Sequence, residues 1–116
     1  MYGVNINCKH IDFIRMILSG EKVVETRNTN SLKRLVGHRI GLIRTGCGKA
    51  MLVGYATITE IVVYDPDSFR SDFKRHRVPS GCEYDIRQVK YGYVLSDVVP
   101  CDPTIVTSRG IVYRSI

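Results

Sequence analysis

The sequence predicts an α+β fold, a small, mixed and partly closed β-barrel flanked by two short helices, in a single domain over residues 1–116. Six segments have the β-branched or alternating composition of strands, and frequent turn residues keep most of them too short for a doubly wound sheet. Gly54 interrupts the longest segment, where a small closed barrel requires a bulge or bend. A chain of 116 residues can bury one core and is too short to divide comfortably into two.

The first half of the chain predicts a strand, a helix and three further strands. Residues 4–8 alternate between apolar and polar, which is typical of a short strand. Apolar residues recur at helical spacing over residues 11–18, and Gly20 can adopt the left-handed conformation that ends a helix. The later strands are predicted at residues 23–27, 39–44 and 51–64.

The second half predicts one helix and two closing strands. Phe69 and Phe73 lie four residues apart in a polar segment, and Asp67 or Ser68 can serve as the N-cap. The overall order is therefore β-α-β-β-β-α-β-β. The closing strands are predicted at residues 91–99 and 111–116, with a turn that contains two prolines at residues 100–103.

Basic residues outnumber acidic ones. The chain has 17 Lys and Arg against 11 Asp and Glu, which gives a net charge of +6 and an isoelectric point near 9.3. Eleven of the 17 are arginine, whose planar donor fork suits phosphates and stacks on bases. This balance favours RNA or a nucleotide as the partner, although basic residues also serve solubility alone.

The sequence has no pattern of a membrane segment or a metal site. No apolar run approaches the ~20 residues that cross a bilayer, and no basic stretch followed by an apolar one begins the chain. The four cysteines are scattered and complete no zinc-ligand spacing with the three histidines. We therefore expect a cytoplasmic protein with free thiols, no metal, no cofactor and no membrane partner.

A charged octapeptide, GEKVVETR, begins at residue 20, directly after the first predicted helix. On a strand Glu25 and Arg27 share a face about 7 Å apart, whereas Lys22 points the other way unless the backbone bends. Lys9 comes to the same rim from the end of the first strand. These charges predict a cleft in which Glu25 orients cations toward a phosphate or a base edge. The alternative is a structural ion pair, although exposed pairs contribute only about 0–1 kcal/mol.

The segment from residue 6 to residue 27 resembles the signature of the ASCH domain (activating signal cointegrator homology), a branch of the PUA-like barrels. The shared pattern is a strand ending in Lys9, a helix ending in a Leu-x-Gly step, and Gly-x-Lys-x-x-Glu-x-Arg. The later strands agree in order, so the resemblance covers nearly the whole chain. Two positions depart from it, since His10 stands where the family commonly has Pro and Val23 where it commonly has Thr.

The resemblance implies a compact RNA- or nucleotide-binding module whose ligand lies in a basic cleft beside the barrel. Arg44 and four basic residues at positions 74–77, here called the 74–77 cluster, would steer the nucleic-acid backbone. The alternative for this cluster is a solvated helix end whose cations complement the helix dipole. Tyr93 borders the cleft in the family's closing strands and is the candidate to stack on a base. The expected ligand-binding residues are Lys9, Lys22, Glu25, Arg27, Arg44 and Tyr93.

Two alternative functions stay open. One branch of ASCH-like proteins hydrolyses N4-acetylcytidine with a Lys, a Thr three positions later and a distant acid. Lys22 matches the Lys, Glu25 stands at the Thr position, and the acid would fall near Asp72. A hydrolase of a modified nucleoside or of RNA would use Lys22 and Glu25 as its catalytic residues. A protein-interaction module that docks the 74–77 cluster on an acidic partner is the second alternative.

Overall fold

A computed structural model describes residues 1–116 and confirms a small α+β fold with one mixed, six-stranded sheet. The strands are β1 (Tyr2–Asn7), β2 (Val24–Arg27), β3 (Arg39–Thr45), β4 (Met51–Tyr64), β5 (Lys90–Ile105) and β6 (Tyr113–Ser115). The helices are α1 (Phe13–Ser19), α2 (Pro66–Ser71) and α3 (Phe73–His76), and a 3-10 turn spans Lys33–Leu35. None of the helices combines the length and the apolar character that spanning a lipid bilayer requires.

Local sequence signals set both ends of α1. The Asp12 side chain accepts a hydrogen bond from a backbone N–H of the first turn at 3.0 Å, which caps the N-terminus. Gly20 has a φ of 86°, the left-handed conformation predicted for it, and ends the helix. Between these ends α1 buries Phe13, Ile14 and Ile17.

The sheet has the strand order β2-β5-β4-β3-β1-β6, with β1 and β3 parallel and every other neighbouring pair antiparallel. Backbone pairing does not close it into a barrel, because β2 and β6 remain as free edges. The sheet nevertheless curves far enough for the Arg27 side chain on β2 to reach the Asn5 carbonyl on β1 at 2.6 Å. Register shifts in the β4–β5 pair, one of them beside Gly54, accompany this curvature.

The connection after β4 differs from the prediction. Two short helices take the place of one, because a break at Asp72 separates α2 from α3. Asp65, rather than Asp67 or Ser68, is the N-cap of α2. Its side chain accepts from the Ser68 N–H at 2.8 Å, and the Ser68 hydroxyl accepts from the Asp65 N–H at 3.1 Å, which completes a capping box.

Strand β5 is longer than predicted, and β6 is shorter. The turn predicted at residues 100–103 is wrong, since β5 runs through both prolines to Ile105. The partner strand β2 ends its pairing with β5 at Val94, so one edge of β5 is unpaired beyond that point. Proline, which has no N–H to donate, is tolerated on such an edge.

One core of 19 buried apolar residues fills the space between the sheet and the helices. Lysine and glutamate are almost never fully buried unless they are paired. The buried polar and charged residues are Asn5, Lys22, Glu25, His76 and Lys90. Three of these five belong to a single charged group beside the gap in the sheet.

Candidate functional site

A cavity of about 300 Å³ opens between the C-terminal half of β1 and strand β2. The two strands are not paired with each other, and this β1–β2 cavity occupies the gap between them. Its uncharged polar lining consists of Asn5, Asn7, Thr26, Asn28 and Thr45. Its charged lining consists of Glu25, Arg27 and Lys90. The cavity is therefore dominated by hydrogen-bonding groups and charge.

The Glu25 carboxylate lies between two cations. Its Oε1 is 3.8 Å from Lys22 Nζ, and its Oε2 is 2.9 Å from Arg27 Nη2. The side chains of Lys22, Glu25 and Arg27 are 0%, 8% and 21% exposed. We call these residues, together with the buried Lys90, the ionic cluster. Two cations therefore contact one carboxylate and a third lies within reach of its charge, so the cluster holds an excess of positive charge largely out of water.

Lys22 turns inward because neighbouring elements hold the residues that precede β2. Its backbone N–H donates to the Met16 carbonyl at 3.0 Å, and the Val23 N–H donates to the Arg75 carbonyl at 2.8 Å. The first bond ties this segment to α1, and the second ties it to α3. The backbone bend on which the sequence prediction depended is therefore present, and it points Lys22 toward Glu25.

The Lys22 ammonium lies in an unusual environment for a cation. Nζ donates to the His76 carbonyl at 2.5 Å and lies 4.4 Å from the centre of the Phe13 ring. Burial lowers the pKa of Lys22 to about 8 against the opposing charge of Glu25, and the other two cations of the cluster lower it further. The ammonium is still largely protonated at neutral pH, but it loses its proton more readily than an exposed lysine.

Arg27 connects the two sides of the β1–β2 cavity. Its Nη2 donates to the Glu25 carboxylate on its own strand and to the Asn5 carbonyl across the gap. Its Nε is buried and has no hydrogen-bond partner within the chain. Buried donors are nearly always satisfied in folded proteins, so this one suits an oxygen atom of a ligand or of water.

Lys90 is the member of the ionic cluster that the sequence did not predict. It is the first residue of β5, and its Nζ donates to Asn28 Oδ1 at 2.8 Å. Burial lowers the pKa of Lys90, and the charges of nearby Cys82, Glu25 and Asp85 only partly offset this effect. The register that pairs Arg27 with Tyr91 brings Lys90 to the cavity. Pairing between strands so distant in sequence has no local signal.

The aromatic side chains at the cavity also differ from the prediction. Tyr93 is completely buried, and its hydroxyl accepts from the Leu32 N–H at 3.2 Å, so its ring offers no face to a ligand. Phe13 and Tyr84 line the cavity instead, with ring centroids 5.7 Å apart in an edge-to-face arrangement. Tyr84 is the more exposed of the two. It lies in an irregular segment, where no helical or strand periodicity in the sequence could have indicated its position.

Three other predicted ligand-binding residues lie outside the cavity lining. Lys22 contacts the lining residue Glu25, but its own side chain is fully buried and does not line the cavity. Lys9 is exposed directly after β1, where its backbone N–H donates to Asn7 Oδ1 at 2.7 Å. Arg44 is half-buried on β3, and its Nε is buried without a partner. The structure therefore brings Lys22, Glu25 and Arg27 together and leaves Lys9 and Arg44 at more distant positions.

The 74–77 cluster is engaged mainly in contacts within the chain. Arg75 is paired with Asp72 at 2.9 Å, and Arg77 Nε donates to two backbone carbonyls. Lys74 is exposed and makes no ion pair or side-chain hydrogen bond. Asp72, near which a hydrolase would have its distant acid, also accepts from the Tyr64 hydroxyl and does not line the cavity.

Known structures allow a separate comparison of the fold. No protein-family model matches the chain, and no curated protein matches it. Crystal structures of ASCH from Zymomonas mobilis do match. One point mutant is 21% identical with a TM-score of 0.76, over 99% of this chain and 87% of that one. A second is 24% identical with a TM-score of 0.71, over 90% and 75%.

The unmutated ASCH from Zymomonas mobilis is 22% identical to this chain with a TM-score of 0.69, over 90% of this chain and 73% of that one. The chain folds like an ASCH domain. At this sequence identity the likeness shows the fold alone, and at that level it confirms the ASCH resemblance. Of the GEKVVETR motif, Glu25, Thr26 and Arg27 line the β1–β2 cavity, and Lys22 contacts it only through Glu25.

Proposed function

We propose that this ASCH-like chain is an RNA- or nucleotide-binding module that holds its ligand in the β1–β2 cavity. The observation that carries the proposal is the ionic cluster, in which Lys22 and Lys90 are 1% and 3% exposed and Lys22 shares the Glu25 carboxylate with Arg27. Burying a charge without a counter-charge costs several kcal/mol. A phosphate that enters the cavity would supply the missing negative charge.

The uncharged lining suits the other parts of a nucleotide. Small-molecule sites have volumes of roughly 300–1,000 Å³, so a cavity of about 300 Å³ has room for one nucleoside. The hydroxyls of Thr26 and Thr45 and the side-chain nitrogens of Asn7 and Asn28 make no hydrogen bond within the chain. These groups are free to bind a base edge or a ribose hydroxyl, and Tyr84 is placed to stack on a base.

The overall charge and the fold also support the proposal. A net charge of +6 attracts polyanions at long range. The ASCH resemblance implies a PUA-like RNA-binding module, although one fold can serve many functions. The residues that line the β1–β2 cavity and the adjoining ionic cluster therefore support an RNA-binding role more strongly than the fold does.

Binding measurements test the proposal directly. Labelled single-stranded RNA of mixed sequence and nucleoside monophosphates would be titrated at 50 mM and 200 mM salt. We expect wild type to bind more weakly at the higher salt, because phosphate contacts release counterions. Arg27→Ala should lose at least about tenfold in affinity, since it removes a charge-assisted contact of the kind that contributes roughly 1.5–3 kcal/mol.

Arg70→Gln is the matched control, because Arg70 is an exposed arginine on α2 outside the cavity. It should bind nearly as well as wild type. Circular dichroism and thermal unfolding would establish that Arg27→Ala remains folded. No binding by wild type at 50 mM salt would refute the proposal, as would an equal loss in the two arginine variants.

A second candidate function, hydrolysis of a modified nucleoside, is favoured by one observation. The pKa of Lys22 is lowered to about 8 by burial, and its Nζ lies 3.8 Å from the Glu25 carboxylate. A lysine with a lowered pKa can accept a proton, and a carboxylate can activate water. In this reaction water would cleave the amide bond of N4-acetylcytidine to give cytidine and acetate.

Chromatographic assays of N4-acetylcytidine and of short RNA would test this second function. If the chain is a hydrolase, wild type should release cytidine and acetate, and Lys22→Met should not. Methionine approximately retains the volume of the buried side chain, which limits the loss of packing. Absence of turnover by wild type, or turnover that survives Lys22→Met, would exclude Lys22-dependent hydrolysis and leave the binding proposal unaffected.

A further inference from the structure

A second hollow, of about 370 Å³, lies at the opposite end of β1. Arg34, His38 and Arg39 supply its basic groups, and Tyr2 and Tyr113 supply aromatic rings. No sequence motif marks this part of the chain, and the proposed function does not use it. We call it the Tyr2 hollow.

The cations of the Tyr2 hollow have no acidic partners. None of the five ion pairs in the molecule involves Arg34 or Arg39. Arg39 Nη1 donates to the Asp97 carbonyl at 2.6 Å and to Thr57 Oγ1 at 3.2 Å, which fixes its guanidinium group. Arg34 is exposed and makes no side-chain hydrogen bond. One arginine is therefore held in place and the other is free to move toward an anion.

The aromatic part of the hollow offers a surface for stacking. Tyr2 is 45% exposed, and its ring lies edge-to-face against Tyr113 with the centroids 5.0 Å apart. Base–aromatic stacking is sequence-tolerant, because every base has a flat π-face. Proteins that bind single-stranded nucleic acid combine aromatic rings with basic side chains. The Tyr2 hollow has two tyrosines beside arginines that lack acidic partners.

The Tyr2 hollow and the β1–β2 cavity both border β1. The cavity is lined by Asn5 and Asn7 on β1 and, across the gap, by residues 25–28. The Tyr2 hollow is lined by Tyr2 on β1 and by residues 34–39, which follow in the same β2–β3 stretch of chain. At about 3.4 Å per residue of strand, the two sites are roughly 10–17 Å apart.

We propose that the Tyr2 hollow is a second contact for RNA and that the ligand is a single-stranded RNA of several nucleotides rather than a free nucleotide. This inference rests on the proposed function. A separation of roughly 10–17 Å corresponds to about 3–5 nucleotides at the ~3.4 Å spacing of a stacked strand. One nucleotide would occupy the cavity, and the continuing strand would place a phosphate beside Arg34 and a base on Tyr2.

The length of the RNA separates this inference from the proposed function. Uridine monophosphate and oligouridylates of two, four and six nucleotides would be titrated against wild type, Arg34→Gln and the control Arg70→Gln at several salt concentrations. We expect wild type to bind the hexamer at least about tenfold more tightly than the monophosphate. Arg34→Gln should weaken the hexamer roughly eightfold at 50 mM salt, the effect of one contact with a salt slope of ~0.7 extrapolated from 1 M.

The same variant should bind the monophosphate as wild type does, because Arg34 does not line the β1–β2 cavity. The inference is overturned if affinity is independent of RNA length, or if Arg34→Gln and Arg70→Gln weaken the hexamer equally. Binding of neither ligand by wild type would instead refute the proposed function, and the inference with it. Monophosphate binding that is lost in Arg27→Ala, without any gain from length, would preserve the first proposal and refute the second.

Discussion

Two regions of this molecule are rich in basic residues but lie in different environments. In the ionic cluster, Lys22 and Lys90 are almost completely buried around a single acid. In the 74–77 cluster, the Arg75 side chain is 41% exposed and paired with its own carboxylate, that of Asp72. The ionic cluster therefore has more positive than negative charge. In the 74–77 cluster, the guanidinium groups of Arg75 and Arg77 already have partners within the chain. The number of basic residues in a segment is therefore a poor indicator of a binding site. Their burial and the number of acidic partners are better indicators.

The largest effect should come from removing the acid of the ionic cluster. Glu25→Gln leaves Lys22 and Arg27 without the carboxylate that they contact, and breaking a buried pair in this way costs about 3–5 kcal/mol. We expect the free energy of unfolding, measured by urea titration at pH 7, to fall by that amount.

Glu21→Gln is the matched control for this prediction. Glu21 pairs with Arg15 at 3.2 Å, but their side chains are 48% and 58% exposed. Exposed pairs contribute about 0–1 kcal/mol, so this variant should remain close to wild type. Equal losses in the two variants would show that Glu25 has no special role as the counter-charge of a buried cluster.

A smaller effect should follow from the protonation of Lys22. Its pKa is about 8 in the folded protein, below the ordinary value of 10.5, so between these pH values the unfolded chain binds more protons. The destabilising contribution of Lys22 is therefore complete below pH 8 and disappears as the pH rises toward 10.5. The corresponding gain in stability is about 3 kcal/mol.

Other groups also titrate in this range, so the measurement compares wild type with Lys22→Met. Urea unfolding at pH 7.5, 9 and 10 should show wild type gaining stability relative to the variant as the pH increases. A difference that does not change with pH would contradict a lowered pKa for Lys22. A difference that changes in the opposite direction would indicate that the Glu25 charge outweighs burial.

The smallest effect should come from the 74–77 cluster. Lys74 is its exposed cation without a partner, and surface substitutions of this kind usually change stability by less than about 0.5 kcal/mol. Lys74→Gln should therefore unfold like wild type and should weaken RNA binding less than about twofold at 150 mM salt, where charges beyond ~8 Å are screened. A larger loss of affinity would place this cluster in the RNA contact surface.

The sequence predicts best those structural features that depend on neighbouring residues in the chain. The β-branched run over 51–64 became β4 with the same bounds, and Gly20 ended α1 in the left-handed conformation. The prolines at 100 and 103 were misleading, because whether a proline fits a strand depends on which edge is unpaired. That property belongs to the assembled sheet and not to any short segment.

The site was predictable where it is continuous in sequence. Lys22, Glu25 and Arg27 come from one short motif, and the structure brings them together. Lys90 and Tyr84 reach the cavity through the pairing of β2 with β5 and through an irregular connection, neither of which has a periodic signal. Tyr93 was misjudged because a tyrosine on a strand has the same pattern whether its ring faces a ligand or the core.

The open side of the sheet has a mechanical consequence. Strands β2 and β1 have no backbone hydrogen bonds between them, and the Arg27 guanidinium joins them through the Asn5 carbonyl. The distance between β1 and β2 therefore depends on the Arg27 side chain, which also lines the cavity. We therefore expect occupancy of the cavity to be coupled to opening of β2 from β1. A bound anion should slow amide hydrogen exchange in β2 and leave unchanged the part of β4 that pairs with both β3 and β5.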